Sequence, residues 1–473
     1  MAFSLRVFFG LVLAALLTGC AATGPVGWDA ESAILARIHA PEFPARDFLI
    51  TDYGAKADGS TDCTDAIRRA IEACHAAGGG RVIVPQGVFL TGAVHLLSNV
   101  NLHLDDGATL KFSADPAKYL PVVLTRFESI ECLNYSPFIY AYGQHDIALT
   151  GAGTLDGSAG PGVWWNWLRG PDGQSLPAAP QKADSTLLGN LVAQGQPPEQ
   201  RIFGAGHFLR PNFIQPYRCE NVLIEGVTIR NSPMWEINPV LCSNVIVRGV
   251  NIQCPGGPNN DGCDPECSRD VLIEDCTFNT GDDCIAIKSG RNDDGRRVGV
   301  AAENIIIRRC AMQDGHGGVV IGSEVSGGVR NVFAEDCRMD SPHLERVLRV
   351  KSNAVRGGTM ENIFLRNIAV GQVAEAVVTV DFRYEEGANG PWRPVLRNVV
   401  LDHVACQSSP RVLYVLGFPA ATIDGLHFEN CDFRGLNSPE VVVDAGAITF
   451  QNTRLEPKQI PPSLSTRPNP NAP

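Results

Sequence analysis

Three acids, one imidazole and two fixed cations fall in four short clusters: Asn259-Asn260-Asp261-Gly262, Gly281-Asp282-Asp283, Gly315-His316-Gly317 and Arg349-Val350-Lys351. Such a set can carry out acid–base cleavage of a polar bond. If Asp261, Asp282 and Asp283 share one patch they cannot all ionise cheaply, so one pKa must rise. One carboxyl then protonates a leaving oxygen while a carboxylate activates water, the division of roles that glycoside hydrolysis needs. In its inverting form the carboxyls stand about 6.5–9.5 Å apart. His316 lies among glycines that let a ligand approach the backbone, and beside an acid it can share and tune a proton. Arg349 and Lys351, two residues apart, project from one strand face and suit an anion such as a carboxylated sugar. Taken singly, each cluster reads as a solvated turn or a loop; their co-occurrence reverses that reading. Asp282 and Asp283 are neighbours, so a turn or bulge after Gly281 must bring both to one surface.

The clusters recur at intervals of about 21, 33 and 33 residues. That is too long for one helix face, and it suits successive turns of a coiled chain. Between them lie β-branched runs such as Val271-Leu272-Ile273 and Ile305-Ile306-Ile307. From Asn99 onward a unit of Asn or Asp followed by a β-branched residue repeats, at Asp146, Asn221, Asn244, Asp270, Asn304, Asn331, Asn362 and Asn398. This predicts an all-β, single-domain, right-handed parallel β-helix, each coil burying its apolar face against the next. A β-propeller is disfavoured because no blade motif or four-strand antiparallel alternation is present.

The flanks read differently. Residues 1–20 carry Arg6, an apolar run from Val7 to Leu17 and Leu17-Thr18-Gly19-Cys20, the proportions of a signal peptide ending in a lipoprotein-type box. Export is expected, with lipidation at Cys20 and anchoring at a bacterial outer membrane, or else a periplasmic or secreted protein. Residues 21–47 form a linker and a capping helix over 30–39, where Ile34, Leu35 and Ile38 make one stripe. The β-helix catalytic domain spans 48–455. It opens with a helix from Thr64 to Cys74, with Thr64 as its cap and Ile67, Ala70, Ile71 and Cys74 on the buried face. The proline-rich tail 456–473 is expected to be disordered. An insertion over 158–211, rich in Gly, Pro and Gln, carries Trp164, Trp165 and Trp167 as sugar-stacking rings or as anchors for the loop.

A net charge of −12 argues against nonspecific nucleic-acid or anionic-membrane binding. Seven of the 15 cysteines (Cys219, Cys242, Cys276, Cys310, Cys337, Cys406 and Cys431) fall in the β-repeats, as buried thiols would. Cys254, Cys263 and Cys267 are the best disulfide candidates.

The four clusters resemble the signature motifs of the polygalacturonases, glycoside hydrolase family 28, in order and spacing. Gly153-Thr154-Leu155-Asp156-Gly157, Asn231-Ser232-Pro233-Met234-Trp235 and the pectin-lyase-like opening Tyr53-Gly54-Ala55 add to the resemblance. It implies hydrolysis of α-1,4 bonds between galacturonic acid residues, with inversion, no metal and no cofactor, by a monomer acting on pectin or oligogalacturonides. By motif, Asp282 is the general acid, Asp261 and Asp283 activate water, and His316 assists the acid. Arg349 and Lys351 bind substrate carboxylate, and Asn259 orients the first motif. The family also uses a downstream tyrosine, for which Tyr384 is the nearest candidate. The phrase Ile321-Gly322-Ser323-Glu324-Val325-Ser326-Gly327-Gly328 and the insertion are similar to bacterial exo-acting members. The competing readings are a calcium-dependent pectate lyase, with Asp293-Asp294 read instead as a polar loop, and a non-catalytic carbohydrate-binding β-helix.

Overall fold

The repeated Asn or Asp meets a backbone requirement. Asp146, Asn221, Asn244, Asp270, Asn304, Asn331, Asn362 and Asn398 all sit at φ between +51° and +59°, a left-handed conformation that Asn and Asp tolerate better than other residues with a Cβ. Their side chains form ladders along the molecule. Asn331 donates to Asn304 Oδ1 and Asn362 donates to Asn331 Oδ1, both at 3.0 Å. Asn398 donates to Asn362 Oδ1 at 2.7 Å. The β-branched residue that follows turns inward. Val222, Val245, Val271, Ile305, Val332, Ile363 and Val399 face one another across successive parallel strands and are buried. With strands about 4.8 Å apart, the result is a parallel β-helix.

The computed structural model describes residues 27–458 apart from 171–172, 175 and 177. The segment 1–20 with Cys20, the linker up to 26 and the tail from 459 lie outside the described residues. The last strand is Arg454–Pro457, so regular structure runs two residues past the expected boundary at 455.

The two N-terminal helices divide their work otherwise than expected. The helix placed over 30–39 is α1 (Asp29–Leu35), and it caps nothing. With Trp28 and Ile38 it covers an apolar outer stripe of Leu223, Ile246, Leu272, Ile306, Phe333 and Phe364 on the flank. The N-terminal end is closed by α2 (Thr64–Ala76), whose Ala66, Ile67, Ala70, Ile71 and Cys74 join the main core with Val82 and Leu102. Thr64 is its first residue and not its cap. The Asp62 carboxylate accepts the Thr64 N–H at 2.9 Å.

All 14 described cysteines are free and buried, including Cys254, Cys263 and Cys267, so the expected disulfide is absent among the described residues. Burial pushes the Cys267 thiol up to about 11 and raises that of Cys263 well above its ordinary value, leaving both poorly reactive. The insertion is only partly a loop. It contains α3 (Pro180–Ala193), and its tryptophans anchor it. Trp164 is buried against Tyr119 and Phe138, Trp165 donates from Nε1 to Ser232 O at 2.9 Å, and Trp167 packs on Tyr135 and Phe208.

A narrow sheet carries the clusters: β1 (Ile285–Ile287), β2 (Val319–Ile321), β3 (Arg346–Lys351), β4 (Ala376–Asp381), β5 (Arg411–Leu416) and β6 (Val441–Val443). Asp282, Asp283 and His316 lie in the bends entering its first two strands, Asp261 precedes the Cys263 bridge one coil earlier, and the two cations lie on β3.

Candidate active site

A bend at Gly281-Asp282 separates the two adjacent acids. Gly281 is required there because a Cβ would meet the Gly257 carbonyl at 2.2 Å. Asp282 stays partly exposed and Asp283 is buried. Asp282 Oδ1 lies 2.9 Å from His316 Nδ1, and the His316 N–H donates to the Asp282 carbonyl at 3.1 Å. The hydrogen bond to Asp282 lifts His316 to about 9. Burial would raise the Asp282 carboxyl, yet the same hydrogen bond brings it below its ordinary range. The pair therefore retains one proton, resident on the imidazole in the free site.

Asp283 is handled by fixed charge. Lys351 Nζ lies 2.6 Å from Oδ2 and Arg349 Nη1 3.2 Å from Oδ1. Burial opposes its ionisation, but the Lys351 and Arg349 charges override that and hold the carboxyl well below its usual range. Asp282, Asp283 and His316 bring three potential metal-ligand atoms within 4.8 Å of one another. Each is already engaged by the pairings just described.

Asp261 carries the raised pKa. Burial, then the nearby Asp264 and Asp282 carboxyls, push it well above the carboxylate range. Its Oδ2 lies 3.4 Å from Lys288 Nζ, while Oδ1 has no hydrogen-bond partner. Lys288 is itself buried, 3.7 Å from Asp264 and 3.3 Å from Glu324, with Nζ 4.3 Å above the Trp235 ring. Although burial favours the neutral amine, Asp264, Glu324 and Asp261 keep it charged.

The first motif is anchored by Asn260, not by Asn259. Asn260 Nδ2 donates to Ser232 O at 3.0 Å and Met234 O at 3.1 Å in the preceding coil. Asn259 Oδ1 instead accepts from Arg210 Nη2 at 2.7 Å. Arg210 also binds Pro233 O and Pro258 O, both at 2.7 Å, and so ties the insertion to the site. Tyr384 lies with its ring 5.4 Å from Lys351 Nζ and 5.9 Å from the Arg349 guanidinium carbon. The candidate downstream tyrosine thus stands beside the two cations.

A braced hairpin lies beside the site, linked to Glu324 through Arg291 at 3.9 Å. Arg291 Nη1 reaches Glu128, at the tip of the Val123–Phe127/Ile130–Asn134 hairpin, at 2.8 Å, and its Nη2 reaches Glu385 at 3.3 Å. Asp294 is not in a polar loop. It lies in α4 (Asn292–Val298), buried, where Oδ1 pairs with Arg201 at 2.6 Å and Oδ2 accepts the Glu131 N–H at 2.9 Å.

The description "Glycosyl hydrolases family 28" matches residues 205–446, and "Rhamnogalacturonase A/epimerase, pectate lyase-like" matches 48–111. The first match spans the four clusters and half of the chain. The chain belongs to glycosyl hydrolase family 28. Among its relatives are a probable polygalacturonase of Vitis vinifera, 29% identical over 72% of this chain and 62% of the relative, and an exo-poly-alpha-D-galacturonosidase of Dickeya chrysanthemi, 30% identical over 71% and 57%. The chain thus spans less than two thirds of the length of these two. A solved structure of a hyperthermoactive exopolygalacturonase from Thermotoga maritima is 44% identical, covering 91% of this chain and 96% of that one with a TM-score of 0.87.

Sequence reasoning missed several residues that pack into this candidate site. Asp264 follows Asp261 by three residues, and Lys288 follows Asp283 by five, inside a run that otherwise reads as strand. A lysine ending the apolar segment Cys284-Ile285-Ala286-Ile287 was the available signal, because burying it demands acidic partners. Arg210 carried no comparable signal.

Proposed function

We propose that this protein is a polygalacturonase that hydrolyses α-1,4 bonds between galacturonate residues, with inversion and from a chain end. The observation that carries the reading is the pairing of a proton-sharing Asp282–His316 couple with an Asp283 carboxylate held ionised by Lys351 and Arg349. The couple delivers its proton to the glycosidic oxygen as the bond from the anomeric carbon breaks. Water attacks that carbon from the opposite face and passes its proton to Asp283, with Asp261 helping to hold the water. Arg349 and Lys351, beside Tyr384, are the cations available to a sugar carboxylate. Action at a chain end is supported by the hairpin that Arg291 braces beside the site, and by the exopolygalacturonase resemblance.

The test is a time course on de-esterified polygalacturonate with chelator present, following reducing ends, product length and viscosity together. Early galacturonate, or one short oligomer, with little fall in viscosity is expected. Mixed oligomers with a rapid viscosity drop would defeat the chain-end reading. An unsaturated, ultraviolet-absorbing product, or no cleavage, would defeat the hydrolase reading.

Export with lipidation at Cys20 belongs to the same proposal and rests on Leu17-Thr18-Gly19-Cys20. Labelled fatty acid should enter the wild-type chain and not Cys20→Ser.

A further inference from the structure

Beyond Arg349 the carrying sheet continues for three more strands, and its outer surface does not end with the catalytic clusters. A groove of about 610 Å³ runs over β3, β4 and β5, with Arg349, Thr379, Tyr384, Arg411, Tyr414 and Ser438 among the residues along it. The register aligns two rows across these strands. Arg349 faces Thr379, which faces Tyr414, while Arg346 faces Ala376, which faces Arg411. Tyr414 is therefore two strand spacings from Arg349, about 9.6 Å along the molecule. That is too far for both to grip the same sugar ring.

The charges in the groove are unevenly spent. Arg346 is committed to Glu345 and Glu375, while Arg349, paired through Nη1 with Asp283, serves the unit at the bond being cleaved. Asp381 accepts the Arg383 N–H at 2.8 Å, and burial favours its neutral form. Glu440, which could have faced Arg411, is occupied by the backbone N–H groups of Val412 and Leu413. Arg411 pairs with no carboxylate among the described residues, and its Nε is buried without a hydrogen-bond partner. Its guanidinium carbon stands 5.8 Å from the Tyr414 ring. Thr379 Oγ1, in the same groove, is likewise buried and unpartnered. Unpaired donors are costly, and the partly exposed Arg411 side chain, which lines the groove without a carboxylate partner, suits an anionic occupant.

We infer that Arg411 and Tyr414 form a distal subsite for a second uronate unit, Arg411 binding its carboxylate and Tyr414 its ring face. The inference rests on the polygalacturonase reading and deepens it. Residues up to Lys351 hold the units at the bond being cleaved, and the later coils hold the rest of the chain. A guanidinium fork matches a carboxylate in two hydrogen bonds, so a neutral polysaccharide would gain little here. The protein should consequently favour galacturonan chains over dimers.

The experiment compares kcat/KM on digalacturonate and tetragalacturonate for wild type, Arg411→Gln, Arg411→Lys and Tyr414→Ala. The wild type should prefer the tetramer. Arg411→Gln should cut the tetramer-to-dimer ratio about tenfold, as loss of one charge-assisted contact would, with the change in KM. Arg411→Lys should recover part of it, and Tyr414→Ala should lower the ratio in the same direction. An unchanged ratio in both Arg411→Gln and Tyr414→Ala would overturn the subsite, whatever happened to the absolute rates, because damage to the fold lowers both substrates together. If the wild type cleaved neither oligomer, the hydrolase reading would fail by itself. Calorimetric binding of tetragalacturonate to wild type and Arg411→Gln would then read the groove directly. Affinity about tenfold weaker in the variant supports the subsite, and equal affinity overturns it.

Discussion

Asp282 and His316 are 34 residues apart in the chain and 2.9 Å apart in space, through Oδ1 and Nδ1. One coil of the β-helix separates them, so the solenoid's period converts a sequence interval into a proton-sharing pair. The imidazole is lifted from 6.5 to about 9, and the Asp282 carboxyl is lowered from 3.8. The raised imidazole contributes stability that is complete below pH 6.5 and lost as pH climbs through about 9. The lowered carboxyl contributes stability that is present above pH 3.8 and lost as pH falls through its depressed value. Between pH 3.8 and 6.5 the couple is complete from both sides. The His316 ring resonances should therefore titrate near pH 9 in an NMR titration, and kcat/KM should fall on the alkaline side as the shared proton leaves. A ring titrating near 6.5 would show that the couple does not hold the proton.

Asp282→Asn removes the acceptor in that couple and keeps the side-chain shape. Loss of a general acid should lower kcat by about 10²- to 10⁴-fold, while galacturonate oligomers still bind through Arg349 and Lys351. His316 should return toward 6.5 in the same variant. Rapid-quench turnover and a binding titration separate the two effects. Weakened binding with kcat preserved would assign Asp282 to substrate binding instead.

Gly315 makes the approach of the two coils possible. Its φ is +146°, and a Cβ there would lie 2.5 Å from the Asp282 carbonyl and 2.7 Å from Thr280 Oγ1. Thr280 donates to that same carbonyl at 2.7 Å. Gly315→Ala should thus displace the Asp282 backbone, at a cost of about 1–3 kcal/mol in stability and with a fall in kcat larger than any change in KM. Denaturant unfolding and steady-state kinetics on one preparation test both parts. A variant with normal kcat would show that the catalytic acid tolerates that displacement.

The coil architecture was legible because its signal is periodic. Each Asn or Asp of the repeat marks a left-handed turn, and each β-branched residue after it marks an inward position. The four candidate-site clusters were legible because they recur at about that period. What escaped was non-periodic. α1 was recognised as an amphipathic helix, yet its stripe could meet either the solenoid end or its flank. Only the outward apolar row from Leu223 to Phe364, one position beyond the inward row, decides for the flank. Cys254, Cys263 and Cys267 are close in sequence, but in a β-helix proximity along the chain is poor evidence of contact, and all three are buried thiols. Asn259 and Asn260 are chemically identical, and the Ser232 and Met234 carbonyls of the coil before them tell which one anchors.

Lys288 is the buried cation beneath the site, shared by Asp261, Asp264 and Glu324. Its removal leaves the Glu324 carboxylate without a major charge partner, since Lys288 contributes first among the cations that hold Glu324 ionised. Arg356 and Arg291 remain at 3.7 and 3.9 Å. Breaking a buried ion pair by deleting one partner costs about 3–5 kcal/mol, and Lys288→Met should fall in that range. The deficit is electrostatic, so Glu324→Gln added to Lys288→Met should restore part of the stability, although Gln alone forms no better packing. A double-mutant cycle in denaturant reads the coupling directly. Additive losses would mean that Lys288 acts through its packing on Trp235, 4.3 Å away, and not through the carboxylates around it.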